Sequence, residues 1–374
     1  MSVHGVAEGK FAGVKSVMEA SLASGADIGA SFCVTRDGNT VVDIWGGHAN
    51  PDKTSNWDRD TIVNVYSTTK TMAALTALLL ADRGVFDLHD RVAKFWPEFA
   101  AEGKEDVTIA QLLSHSAGLS GWKVPLQRED LYDWSKCVDL LAQQAPFWAP
   151  GTAPGYHALT QGYLVGEVVR RATGKTIGTV FREEIAEPLG ADFHIGLPES
   201  EDSRVATLQP PPVAVAAQAA SELQKNMATN PGIDVGETAK REWRGAEIPA
   251  AGGTGNARSV AEIHAILANG GVAKGKRFLS EAGCRRALEF QVEGTDLVLG
   301  IPVRFGMGFG LPGGMVPLPN PNSCYWGGYG GSIAIIDMDT RSTFSYVMNR
   351  MEGTTTGDAR GFALVMATWQ AMAA

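Results

Sequence analysis

The chain has 374 residues, 44% of them hydrophobic and 20% charged, with a formal net charge of −9. That length buries a substantial core as one large or two intimately joined domains, and the composition is ordinary for a soluble globular protein. The acidic balance supplies no basic surface for nucleic acid or anionic lipid, and no segment reaches the ~18 apolar residues of a membrane span. Taken in chain order, the first ten residues lack the basic and apolar regions of a secretory leader, so the expected setting is the cytoplasm. Cys33, Cys137, Cys284 and Cys324 lie far apart with no Cys-x-x-Cys, which reads as reduced, buried thiols and not as a disulfide framework or zinc site.

Apolar spacing over residues 6–22 predicts an amphipathic helix ending near Ser24 and Gly25. Residues 30–36 and 40–45, joined by Asp37-Gly38, predict a β-hairpin, because Asp-Gly supplies the positive φ of a tight turn. Residues 65–84 then form the stretch on which the rest is organised. Met72, Leu75, Leu79 and Leu80 recur at helical spacing, and Gly84 follows as a C-cap. Ser67 and Lys70 stand at i and i+3, which puts a hydroxyl and an ammonium on one face about one turn apart. Asp87, His89 and Asp90 lack metal-ligand spacing and read as a solvated turn. Residues 107–119 predict a short capped helix running into a Ser/Gly loop, with His115 as a structural histidine. Helices are expected over residues 139–145, 160–172 and 177–186, with a turn-rich run at 150–155 leading to Tyr156. From 198 to 249 regular patterning dissolves into a long surface excursion, a length usual for lids and mobile loops. Ser259 opens a helix to Asn269 in a capping-box pattern with Glu262. The Gly-x-Gly-x-x-Gly string at 308–313 has Pro312 and no following helix, so it is a glycine loop and not a dinucleotide turn. Strands at 332–337 and 342–349 and a helix from about Asp358 close the chain.

Strands at both ends with helices between predict an α+β fold. An antiparallel sheet from the N- and C-terminal segments (residues 1–70 and 250–374), flanked by helices, carries an inserted mainly helical domain at 71–249. The active site is expected at their seam. A serine opening a helix, with a lysine one turn on, suits nucleophilic catalysis, since the cation and the helix's positive end both favour an alkoxide. The motif alone is weak. A chain with 20 serines and 13 lysines meets Ser-x-x-Lys by chance about once. A second match, Ser120-Gly-Trp-Lys123, is followed by Pro125 and has no apolar periodicity behind it.

Order makes the case. Ser67-Thr-Thr-Lys70, Leu112-Leu-Ser-His-Ser-Ala-Gly-Leu119, Tyr156-His-Ala158, Ala251-Gly-Gly with Arg258-Ser-Val-Ala-Glu262, and Trp326-Gly-Gly328 before Tyr329-Gly-Gly-Ser332 occur in that sequence. The chain thereby resembles the serine β-lactamase-like hydrolases, and within them the family VIII carboxylesterases, relatives of class C β-lactamases and DD-peptidases. The resemblance implies that Ser67 attacks an acyl carbonyl, Lys70 helps remove its proton and Tyr156 serves as general base or acid. It implies no cofactor and no metal. Which of Lys70 and Tyr156 first deprotonates Ser67 stays open at this stage. A Tyr156 phenolate would need a neighbouring cation, and Lys70 is the candidate. The oxyanion hole would pair the backbone N–H of Ser67 with that of Tyr329, on the strand after Trp326-Gly-Gly328.

Departures from the family pattern bear on substrate. Where penicillin-recognising relatives hold a carboxylate with Lys and Thr/Ser, this chain has Trp326 and Gly327. The Asn of Tyr-x-Asn is Ala158. Both point to uncharged esters over lactams and peptides. No Gly-x-Ser-x-Gly elbow occurs, which disfavours an α/β-hydrolase. The expected function is hydrolysis of small, short-chain acyl esters through an acyl-enzyme on Ser67, with Trp326, Gly327, Gly328 and Tyr329 as substrate contacts. Alternatives are an acyltransferase, a weak β-lactamase or DD-peptidase, and a non-catalytic ligand-binding relative. The partner is a small-molecule ester, with no nucleic acid or membrane, for a monomer or small homo-oligomer. Of Trp122, Trp148, Trp243, Phe309, Trp326 and Tyr329, about half are expected in the core and the rest around an apolar pocket.

Overall fold

The computed structural model describes residues 2–213, 220–314 and 316–374. The Ala-rich run at 214–219, part of the expected excursion, lies outside them. Six strands form one antiparallel sheet, in the spatial order Val3–Ala7, Asn39–Gly47, Gly29–Arg36, Ser342–Met348, Ile333–Asp337 and Ser323–Gly327. The sheet therefore joins the two ends of the chain, as the α+β reading requires. Asp37 (φ 51°) and Gly38 (φ 78°) turn the first hairpin in left-handed backbone, the conformation that matches strand twist.

Helices cover both faces, so the central strands are buried along almost their whole length and read as near-continuous apolar runs. Side chains alternate between faces. Phe32 and Val34 pack with Val14, Met18 and Leu22 of the Ala12–Ser24 helix and with Leu364 and Val365 of the Ala359–Ala373 helix. Cys33, between them, points into a larger core with Val260, Ile263 and Ile266 of the Ala257–Ala268 helix. Each large apolar side chain so buried contributes about 1.5–3 kcal/mol. The Thr69–Asp82 helix sits deep in that larger core and is buried on every side from Thr69 to Leu80. The Thr160–Thr173 and Ile177–Phe181 helices pack against it.

Several expectations need correction. Residues 3–7 are an edge strand, and the first helix starts only at Ala12, after a 3-10 turn at Gly9–Phe11. Gly5 (φ 93°) lies so close to the Asp43 carbonyl that any Cβ would collide with it. The helix expected from 139 begins at Trp134, because the Asp133 side chain caps it by accepting from the Lys136 N–H at 3.0 Å. Beyond Phe181 the helix continues as a π turn over Arg182–Ala186 and a last turn at Glu187–Leu189. The cap of the Ala257–Ala268 helix is Asn256, with Ser259 as its capping-box partner. The excursion carries regular elements, among them the Glu222–Thr229 and Arg241–Gly245 helices, and Trp243 is 1% exposed. A hairpin of Val292–Thr295 and Pro302–Phe305 was not foreseen.

Candidate active site

Ser67 lies in the 3-10 turn Tyr66–Thr68 that leads into the Thr69–Asp82 helix. Tyr66 has φ 43°, a left-handed conformation that costs a non-glycine residue about 1–2 kcal/mol. Its surroundings hold it there. The Tyr66 N–H donates to Asn64 Oδ1 at 3.2 Å, and its carbonyl accepts from the Thr69 hydroxyl. Its ring meets Tyr329 edge-on at 5.5 Å and Trp243 at 6.4 Å. Trp243, from the supposed surface excursion, is thus part of the nucleophile's support.

Lys70 is fully buried, and its Nζ stands 3.0 Å from Ser67 Oγ. The same nitrogen donates to the carbonyls of Ala158 (2.7 Å) and Ala250 (3.0 Å). The Tyr156 hydroxyl hydrogen bonds to Ser67 Oγ from the other side. Burial holds the Lys70 ammonium well below the usual lysine range. Burial also pushes the Tyr156 phenol up, against hydrogen bonds from Ser67 and Trp326 that pull it down. Both groups are therefore driven toward their neutral forms. A Tyr156 phenolate in the resting site would have to overcome this burial on both groups. Lys70 Nζ lies over the tyrosine ring, 4.8 Å from its centroid.

Neighbouring groups fix Tyr156 and account for the histidines. Asp296 Oδ1 accepts backbone N–H bonds from Tyr156 (3.0 Å), Val298 (2.9 Å) and Leu299 (2.8 Å). His115 Nδ1 accepts from the His157 N–H at 3.0 Å, and its ring stacks on Trp326 at 5.2 Å. It does not bond Ser67, in keeping with a structural role. His157 accepts from the Leu119 N–H at 3.0 Å, and its Nδ1 pairs with the Gly155 carbonyl at 2.6 Å. Burial takes its pKa down to about 3, so both ring nitrogens are committed as a neutral tautomer.

A cavity of about 170 Å3 is lined by Ser67, Tyr156, Ala158 and Tyr329 together with Met227, Ala228 and Ile233. Trp326 and Gly327 line a narrow neighbouring space with Tyr156. The structure thus brings Ser67, Lys70, Tyr156, Trp326, Gly327 and Tyr329 together. The strand ends at Gly327, however, so Tyr329 sits on the turn that follows and not on a strand.

A family model described as Beta-lactamase matches residues 14–366. The chain belongs to the beta-lactamase family. A solved structure described as a family VIII carboxylesterase is 41% identical, with a TM-score of 0.94, and covers 99% of this chain and 100% of that one. A penicillin-binding protein homolog from Caulobacter crescentus is 36% identical with a TM-score of 0.91, covering 99% of this chain and 100% of its own. Esterase/beta-lactamase LipL of Mycobacterium tuberculosis is 34% identical over 365 residues, which is 93% of this chain and 83% of LipL. The chain is a serine hydrolase of the β-lactamase fold.

Within that family the Trp326-Gly327-Gly328 segment now has a packing reason. A Cβ at Gly327 would lie 2.6 Å from Thr356 Cα, and one at Gly328 would lie 2.1 Å from the Val65 carbonyl oxygen. The strand end is wedged between the backbone below Ser67 and the segment before the last helix, with no room for a threonine. Of the six aromatics singled out, Trp122, Trp243 and Phe309 are core residues, and Trp326 and Tyr329 line the cavities. Trp148 packs beside the cluster of Tyr156 and Trp326. Asp296, the Ala250 carbonyl and Met227 were missed, since no local pattern marks any of them. Among the described residues no cluster of potential metal ligands occurs, and no helix is long and apolar enough to cross a membrane.

Proposed function

We propose that this protein is a carboxylesterase that hydrolyses uncharged esters of small acyl groups through an acyl-enzyme on Ser67. The observation that carries the reading is Ser67 Oγ held between Lys70 Nζ and the Tyr156 hydroxyl, in a cavity that offers no cation at Trp326 and Gly327. The esterase named among the relatives and the carboxylesterase of closely similar structure support it.

A neutral amine has two N–H groups and one lone pair. Ala158 and Ala250 take both N–H groups, and the lone pair is then left for the Ser67 proton. Lys70 accepts that proton as Oγ attacks the carbonyl carbon, with the oxyanion held by the N–H groups of Ser67 and Tyr329. Tyr156 protonates the departing alkoxide, which leaves a phenolate beside the newly formed Lys70 ammonium. In deacylation the phenolate takes a proton from the attacking water, and Ser67 Oγ recovers its own from Lys70. Product leaves, and both side chains return to neutral. A cytoplasmic setting belongs to the same reading, supported by four buried, unpaired cysteines.

The test is turnover of p-nitrophenyl acetate beside a chromogenic cephalosporin, for the native enzyme and Ser67→Ala. Ester hydrolysis that dominates and disappears in Ser67→Ala is expected. Faster cephalosporin turnover, or ester turnover that survives Ser67→Ala, rejects the reading.

A further inference from the structure

The Ser67 cavity adjoins a larger one of about 560 Å3. Met227 and Thr355 line both. Between them lies the narrow space of Tyr156, Trp326 and Gly327, whose other walls include Leu299, Ile301, Thr355 and Thr356. Those last four also line the large cavity. Tyr156 therefore stands at the junction. Beyond it the walls include Val298, Val316, Phe362, Met366 and Trp369 beside Gln224 and Thr354, and no Asp, Glu, Lys, Arg or His side chain lines the space among the described residues.

We propose that this cavity receives the alcohol half of the ester, and that this half is a bulky, uncharged hydrocarbon such as a long-chain, alicyclic or aryl alcohol. The inference rests on the esterase reading above, and it adds which half of the substrate is selected. Its reason is the position of the proton donor. The group that protonates the leaving alkoxide must lie beside the alkoxide oxygen. With that oxygen at the Tyr156 hydroxyl, its substituent passes Trp326 and Leu299 into the large cavity. The acyl half keeps the opposite side of Ser67, where Leu159, Ile233 and Ala251 line about 170 Å3. An alcohol bearing a carboxylate or ammonium group would lose its water and find no countercharge there, only the neutral side chains of Gln224 and Thr354 to Thr356. Each methylene that a hydrocarbon buries there is worth up to about fourfold in kcat/KM.

Two ester series followed by pH-stat test this on the native enzyme. One fixes acetate and lengthens the alcohol from ethyl to hexyl and cyclohexylmethyl, and the other fixes ethanol and lengthens the acid. A rise of about tenfold or more from ethyl to hexyl acetate is expected, with no rise along the acyl series. Met366→Glu, at a position 47% exposed on the cavity rim, should lower the hexyl-to-ethyl ratio at least about threefold. A flat alcohol series, a rise along the acyl series instead, or an unchanged ratio in Met366→Glu overturns the assignment while esterase activity stands. Absence of turnover for every ester overturns the underlying reading as well.

Discussion

Removing Asp296 tests how the site is held together. The residue is fully buried, and one oxygen serves three backbone donors, those of Tyr156, Val298 and Leu299, while Oδ2 has no partner. In Asp296→Ala all three donors are stranded. At about 1–3 kcal/mol per stranded group the ceiling is about 9 kcal/mol, and water entering the vacated space would bring the loss to about 4 kcal/mol. For a chain of this size that lowers Tm by about 4–8 °C. Tyr156 loses its backbone anchor as well, and a displacement of about 1 Å lowers kcat by about 100-fold, with KM changed much less. Asp296→Asn keeps an oxygen for the donors and should cost only about 1 kcal/mol at the unpartnered position. The two variants also differ in pH dependence. Burial raises the Asp296 carboxyl above its usual 3.8. The folded protein then keeps a proton that the unfolded chain has released, so this residue's contribution to stability is full below about pH 4 and declines as pH rises through the raised value. Asparagine has no such titration, so the Tm deficit of Asp296→Asn should be largest near pH 4 and shrink toward neutrality. Thermal unfolding by circular dichroism across that range, with kcat on p-nitrophenyl acetate, reads both effects. Native Tm and native kcat in Asp296→Ala would refute the argument.

Legibility in the sequence follows the range of the interactions involved. The Asp37-Gly38 hairpin was readable because two adjacent residues set its turn. Gly84 and Gly174 mark helix ends for the same local reason, each with a positive φ. Ser67 and Lys70 were readable because one helical turn joins them, and their 3.0 Å contact follows from that spacing. Tyr156 reaches Ser67 across 89 positions, and only the order of the family's motifs pointed to it. What was missed depends on partners far away in the chain. The five-residue strand Val3–Ala7 exists because Asn39–Gly47 offers it an edge. Asp296 is defined by the Tyr156 N–H that it accepts, and Trp243 by the Tyr66 ring. The charge state of Lys70 is not legible for a related reason. Spacing places an amine beside a hydroxyl, whereas its protonation depends on how completely the rest of the fold excludes water.

Two further perturbations test the electrostatics and shape of the site. Gly327→Thr, which restores a residue type found in penicillin-recognising relatives, forces a Cβ to 2.6 Å from Thr356 Cα. It should cost at least about 1–3 kcal/mol and slow ester turnover without creating cephalosporin turnover; a gain of lactam hydrolysis would show that the strand end yields. Lys70 sets the acid side of the activity profile. Its pKa is lowered by burial, and acylation by the proposed route needs the free amine, so kcat/KM should be level at high pH and fall as pH drops through the lowered value. Lys70→Arg introduces a permanent cation and offers no accessible lone pair, and should lose about 10²–10⁴-fold in kcat/KM together with that acid limb. The same residue carries a stability signature of defined sign. Above about pH 10.5 it is neutral in both states, and below that the unfolded chain binds a proton that the folded site refuses, so native stability declines as pH falls toward the lowered value. Lys70→Met should lack that decline. Equal pH slopes of Tm for the native enzyme and Lys70→Met would mean that Lys70 is charged in the resting site, and the proton route through its lone pair would fail with it.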